Sequence, residues 1–212
     1  MSQVFTEIGM CLERGDAPAV EEKVRAALEE GHSPLEIIQR GLVAPMEDIG
    51  VRFRDGELFV PEVLVAARAM QAGMGILKPL LSESDKASRA GIVVIGTVQG
   101  DIHDIGKNLV AMLLEGAGFE VIDVGIDVKP EAFVEAVKEH KADILGISAL
   151  LTTTMPAFKD VMAALEEAGI RSQVKVMVGG APVTAEFAEK VGADGYAEDG
   201  PTAVDVARQL VS

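Results

Sequence analysis

The sequence predicts an α/β protein in two parts: an N-terminal four-helix bundle, then a doubly wound, flavodoxin- or Rossmann-like parallel sheet of five strands. Three observations carry this. Residues 1 to 81 keep a helical apolar period with short polar breaks. From Gly91 onward, β-branched apolar runs alternate with amphipathic stretches, the pattern of repeated strand–helix units. Between them, Ser82-Glu83-Ser84-Asp85-Lys86-Ala87-Ser88-Arg89 is polar and aperiodic, which reads as a linker over 82–90. The expected domains are therefore 1–81 and 91–212.

In the first part, Val4, Phe5, Ile8 and Leu12 mark one helix, and Val20, Val24, Ala27 and Leu28 mark a second after Gly15-Asp16. Ser33-Pro34-Leu35-Glu36 combines a cap, a proline at the first helical position and a glutamate to close a capping box. A third helix follows, carrying Leu35, Ile38, Leu42, Met46 and Ile49. After the turn Arg54-Asp55-Gly56-Glu57, a fourth follows Pro61 with Leu64, Ala67, Met70, Met74 and Leu77. Short connections between four such helices suit a bundle. In the second part, strands are expected near 91–98, 120–125, 143–150, 174–179 and 194–197. Helices are expected near 107–114, 130–140, 156–168, 184–191 and 201–211.

Composition narrows the partners. The net charge is −15, from 34 acidic and 19 basic residues, with no basic run. Nucleic-acid affinity rests on neutralising phosphates, and an anionic membrane repels such a chain too, so neither is expected as a partner. No run of about 18 apolar residues stands out as a membrane span. The start, Met1-Ser2-Gln3-Val4-Phe5-Thr6-Glu7, has no basic segment leading into an apolar one, as a secretory signal would. Cys11 is alone, so no internal disulfide forms and a reducing cytoplasm is the expected setting.

The chemistry concentrates in Gly100-Asp101-Ile102-His103-Asp104-Ile105-Gly106-Lys107-Asn108, directly after the first strand. Loops at the carboxyl edge of an open parallel sheet are where ligands bind. Gly100 and Gly106 enclose five residues and Asn108 follows Lys107, which excludes a phosphate loop with its four-residue spacing and Ser or Thr after lysine. Asp101 is placed to orient the His103 ring, as partners of metal-ligating histidines do. An ordinary zinc site needs three or four such ligands. The chain has only His32, His103, His140 and Cys11 besides carboxylates, and neither His32 nor His140 is obviously near His103. A lone histidine in a loop is also compatible with a plain hydrogen-bonded residue. If it binds metal, it suits one whose other positions a macrocycle fills.

Asp101-x-His103-x-x-Gly106, then Ser148-x-Leu150, then Gly179-Gly180, in that order on alternating strands and helices, resembles the cobalamin-binding domain of methionine synthase and its relatives. The combination of a helical part and this domain, without the roughly 250 residues a catalytic barrel takes, looks like the corrinoid methyl-carrier proteins of methylamine, methanol and methoxyaromatic metabolism. The resemblance covers essentially the whole chain. It implies a cobalamin or related corrinoid as cofactor, with His103 as lower ligand of the cobalt and Asp101 bonded to the far side of its ring. Asp104, Gly106, Leu150 and Thr152 join the cofactor-binding set. Ser148, Gly179 and Gly180 would line the slot for the cofactor's nucleotide tail. Thr154 stands where methionine synthase has the serine that completes the hydrogen-bond relay.

The same resemblance makes residues 1–81 a helical cap. Phe59, Val60, Val63, Met70 and Met74 read as bundle core on spacing alone, and as part of a surface over the cofactor by the resemblance. It implies a carrier, not an enzyme by itself. A substrate-specific methyltransferase loads cobalt(I), a methylcorrinoid:acceptor methyltransferase of the coenzyme M or tetrahydrofolate type unloads methyl-cobalt(III), and a reductive activase restores the reduced state. Three other readings compete. An adenosylcobalamin mutase small subunit would not be expected to carry such a cap, and a cobalamin-dependent sensor would need a DNA-reading segment. A hydrolase would use His103 as base, Asp101 as orienter and Thr154 as nucleophile.

Overall fold

The computed structural model describes residues 3–81, 85 and 89–212. The chain divides into two compact units, Met1–Arg89 with Gly116–Gly118, and Ala90–Glu115 with Phe119–Ser212. Most of the expected linker over 82–90 lies outside the described residues.

The first unit is helical: α1 (Gln3–Glu13), α2 (Ala17–Glu29), α3 (Pro34–Ile37), α4 (Ala44–Arg54) and α5 (Val60–Leu77). Asp16 caps α2 by accepting from the Ala19 amide, and Ser33 caps α3 by accepting from Glu36 N–H at 3.2 Å. The Glu36 carboxylate holds His32 Nδ1 (3.1 Å) and Arg40, so only the Ser33 half of the expected capping box is present. The apolar stripes read from the sequence meet here, with Ile8, Leu12, Val20, Val24, Leu42, Val63 and Leu77 all fully buried, joined by Ile37. The bundle rests on this burial, since exposed ion pairs contribute at most about 1 kcal/mol each.

The single third helix that the pattern predicts is interrupted. Ile38–Val43 is a π-helical turn between α3 and α4, with Ala44 N–H reaching back to the Gln39 carbonyl. Pro45 explains it: without an N–H it cannot bond the Gly41 carbonyl one turn back, and the ladder slips by one residue. The α5 face also differs from expectation. Val63 and Met70 are buried in the bundle, Met74 is half-buried, and only Phe59 (65% exposed) and Val60 (39%) stand out. The core reading holds for Val63 and Met70. By length and hydropathy Val60–Leu80 is long and apolar enough to cross a membrane, contrary to the expectation that no such run exists. Its Val63, Ala66, Ala67, Met70 and Leu77 face is packed inside the bundle.

The second unit alternates β1 (Ile92–Thr97), α6 (Ile105–Gly116), β2 (Glu120–Asp123), α7 (Pro130–His140), β3 (Ile144–Ser148), α8 (Ala157–Glu167), β4 (Lys175–Gly179), α9 (Ala185–Val191), β5 (Gly195–Ala197) and α10 (Gly200–Leu210). The five strands are parallel, in the order β2-β1-β3-β4-β5. All six residues of β1 are buried, as the centre of a sheet covered on both faces requires. Phe133, Val137, Phe158, Val161 and Leu165 pack against Val94, Leu145, Ile147, Val176 and Val178 in one apolar cluster. Chain direction across the sheet reverses between β1 and β3. The loops after these two strands therefore diverge and leave a crevice at the carboxyl edge.

Candidate functional site

That crevice is where the expected site residues lie. Thr97, Ser148 and Gly179 end β1, β3 and β4 in one register row across the sheet. The chain after Thr97 turns at Gly100, whose φ of +84° is open to glycine at little cost. It then runs through Asp101 to His103 before α6 begins.

Asp101 is fully buried and collects five donors. Its Oδ1 accepts from the His103 amide (3.0 Å) and from His103 Nδ1 (2.7 Å). Its Oδ2 accepts from the amides of Leu150 (2.8 Å) and Leu151 (3.2 Å) and from the Thr154 hydroxyl (2.8 Å). Burial alone raises the pKa of this carboxyl. The Leu150 amide, the His103 ring and amide and the Thr154 hydroxyl outweigh it and hold the group well below the usual carboxylate range. Asp101 is thus an anion that only accepts, so Nδ1 of the neutral ring must carry the proton. Nε2 is left with a free lone pair on a side chain that is 45% exposed.

The backbone of His103 is fixed as well. Thr97, fully buried, donates its hydroxyl to the His103 carbonyl at 2.9 Å. Sequence reasoning passes over Thr97 because it reads as one more β-branched residue of a strand.

The other expected residues divide. Thr154 joins Asp101, and its methyl faces Gly100, where an added Cβ would lie 3.6 Å away in ordinary contact. The extra methyl relative to serine is therefore accommodated. Leu150 contributes its amide, while its side chain is 43% exposed. Asp104 precedes α6, with its carbonyl and carboxylate both engaged by Asn108. Gly106 lies in the exposed first turn of α6 with open space where a Cβ would go. Ser148 is half-buried at the strand end, and Thr152 is exposed in the turn that leads to Thr154. Gly180 has φ +120°, and a Cβ there would meet the Ala149 carbonyl oxygen at 1.9 Å. β4 thus approaches the end of β3 more closely than any side chain allows.

The geometry removes the hydrolase reading. Thr154 donates to Asp101 and not to His103, so the carboxylate stands between hydroxyl and imidazole, whereas a nucleophile must face the base. Among the described residues, no group of three or more His, Cys, Asp or Glu side chains is placed to hold a metal ion. A metal on Nε2 has to bring its remaining ligands with it. Ile102 (69% exposed) and Ile105 (80%) after β1, Leu150 and Leu151 after β3, and Ile126 after β2 are exposed apolar side chains at this edge of the sheet. An open imidazole of fixed tautomer within an apolar rim fits a flat macrocycle that supplies its own equatorial ligands.

This arrangement makes a test of the relay possible. Thr154→Val, which keeps the shape and removes the donor, is expected to lower the unfolding free energy of the apo-protein by about 1–2 kcal/mol in urea titration. Thr154→Ser should stay within about 0.5 kcal/mol of the parent.

Comparison with known proteins agrees with the geometry. Two B12 binding domain families match the chain, one over residues 91–205 and the other over residues 4–78. The dimethylamine corrinoid protein of Methanosarcina barkeri is 51% identical over 194 residues, 92% of this chain and 89% of its own. The crystal structure of the methanol:cobalamin methyltransferase complex from M. barkeri contains a chain similar at TM-score 0.90 and 33% identity, covering 99% of this chain and 80% of that one. A cobalamin-binding protein from Desulfitobacterium hafniense matches at TM-score 0.74 and 32% identity, over 98% of each chain. With a B12 binding domain along more than half its length and a relative half identical over nearly all of it, this chain belongs to the B12-binding corrinoid proteins, and its cofactor is a cobalamin or related corrinoid.

Proposed function

We propose that this protein carries a methyl group on the cobalt of its corrinoid between two methyltransferases, with His103 as the lower cobalt ligand. The observation that carries the reading is the Asp101–His103 pair. A buried anion holds Nδ1–H at 2.7 Å and leaves Nε2 open at the crevice between the loops after β1 and β3. The bound cofactor supplies a cobalt centre able to accept and release a methyl group. The chain's own residues do the rest: Asp101 fixes the ring tautomer, Thr154 and the Leu150 and Leu151 amides keep Asp101 ionised, and Thr97 fixes the His103 carbonyl. The apolar rim would shelter the bound corrinoid, with Asp104, Gly106 and Thr152 at its border. The close approach of Gly180 to the end of β3, beside Gly179 and Ser148, would form the wall of the tail slot.

In this proposal residues 1–81 are the cap, 82–90 the connection and 91–212 the cobalamin-binding domain. The chain is a carrier, and activation of donor and acceptor belongs to its partners. Its partners would be a substrate-specific methyltransferase that loads the cofactor, a second methyltransferase of the coenzyme M or tetrahydrofolate type that unloads it, and a reductive activase. The names of the relatives support a methylamine as donor. The setting is cytoplasmic, without nucleic-acid or membrane partners.

The test is electron paramagnetic resonance of histidine-labelled (nitrogen-15) protein reconstituted with cobalamin and reduced to cobalt(II). A doublet superhyperfine splitting that disappears in His103→Ala is expected. A spectrum showing only the cofactor's own nitrogen would remove His103 from this role.

A further inference from the structure

The loop between β2 and α7, residues 124–129, contributes none of the residues discussed so far except Ile126, yet it ties down both flanks of the His103 loop. Ahead of His103, Asp127 makes a reciprocal pair with the chain that leads to it. Asp127 Oδ1 accepts from the Gly100 amide at 2.7 Å, and the Asp127 amide donates to the Asp101 carbonyl at 2.9 Å. Behind His103, Lys107 is buried and its ammonium donates to Asp123 Oδ2, while Asp123 Oδ1 takes the Gly125 amide at 2.9 Å. The Thr97 amide to the Gly125 carbonyl and the Val128 amide to the Thr97 carbonyl, each 3.0 Å, complete the attachment.

Asp127 also sits at φ +53°, one of only two non-glycine residues at positive φ among the described residues. Glycine would adopt that conformation without strain, and aspartate adopts it at a cost. The Gly100 bond gives a reason for the side chain, because it holds the Gln99–Gly100 peptide, one residue ahead of Asp101, and Asp101 in turn holds the His103 ring.

We propose that Asp127 is a positioning residue for His103, acting through Gly100 and Asp101 to hold Nε2 where the lower ligand must stand. Its consequence for ligation rests on the carrier reading above, and its consequence for the apo-protein does not. Three proteins separate the contributions: the parent, Asp127→Gly, which keeps the backbone conformation and loses the acceptor, and Asp127→Asn, which retains both a side-chain oxygen and tolerance of positive φ.

In the apo-protein, Asp127→Gly is expected to move the Gly100 amide resonance upfield, speed its hydrogen exchange at least about tenfold, and broaden the His103 Nδ1–H signal. The thermal midpoint should change little, because the turn itself is relieved of strain. Asp127→Asn should return these signals most of the way to the parent. After reconstitution, the histidine-split share of the cobalt(II) resonance should fall several-fold in Asp127→Gly and recover in Asp127→Asn. Unchanged Gly100 and His103 signals in Asp127→Gly would overturn the proposal and leave Asp127 as a turn residue. Altered apo signals with parent-like histidine splitting would overturn it too. If the parent itself shows no histidine splitting, the carrier reading fails, and the apo signals alone then decide whether Asp127 positions the loop.

Discussion

Asp101→Asn is expected to destabilise the apo-protein by about 3 kcal/mol or more and to reverse the tautomer of His103. Each of the five donors around Asp101 was matched to a carboxylate oxygen, and an amide of the same shape replaces one acceptor by a donor. With the amide nitrogen on the Oδ2 side, it faces two backbone N–H groups and a hydroxyl, the costlier choice. With the nitrogen toward His103, the ring can respond by accepting at Nδ1, which shifts its proton to Nε2 and occupies the lone pair a metal would need. Nitrogen-15 shifts of the ring read the tautomer directly, and urea titration reads the stability. The pH dependence follows from the depressed pKa of Asp101. A carboxyl held below its unfolded value, near 3.9, stabilises the fold above that value and loses the contribution progressively as pH falls from there toward its lower value in the fold. The gap between parent and Asp101→Asn should therefore narrow as pH falls below about 4. A gap that widens over that acid range would show that Asp101 is not ionised in the fold.

Much of this arrangement was legible before any coordinates. The β-branched run at Ile92–Thr97 reads as a buried strand because a sheet covered on both faces demands it, and the Asp101–His103 spacing reads as a ring with a partner. What escaped reading was carried by groups without a side-chain signature. Leu150 and Leu151 serve Asp101 through amides 49 and 50 residues away, and a backbone N–H is the same in every sequence but for proline. Asp127 and Asp123 are two among 34 acidic residues, and only the parallel pairing of β1 with β2 brings their loop beside Gly100 and Lys107. Val63 and Met70 illustrate a different ambiguity. An apolar residue on a helix has the same periodicity whether it faces another helix or a cofactor, and packing alone settled it. The π turn did have a signal, Pro45 inside an otherwise helical pattern, which was outweighed by the regular spacing of Leu42, Met46 and Ile49.

Gly180→Ala is expected to cost about 3 kcal/mol or more, well beyond the roughly 1 kcal/mol typical of a point substitution. The added Cβ would lie 1.9 Å from the Ala149 carbonyl oxygen, and a Cβ has no rotamer by which to move aside. The φ of +120° adds backbone strain for any L side chain. Relief requires β4 and the end of β3 to separate. That displaces Ala149, whose amide points to the Gly179 carbonyl, and with it Leu150, whose amide holds Asp101. Gly180→Ala should therefore also weaken the Asp101–His103 pair, seen as faster exchange of the Leu150 amide. Gly106→Ala is the contrasting case, since nothing lies within 4 Å of the added carbon and alanine favours a helix by about 0.5–1 kcal/mol. Its apo-protein should match or exceed the parent in urea. If Gly106 keeps space for the corrinoid, as proposed, this variant should nonetheless retain less cobalamin through gel filtration. Loss of cobalamin in Gly180→Ala would then reflect a displaced crevice, and loss in Gly106→Ala a filled one. Equal apo stability for the two variants would contradict the close approach of β4 to β3.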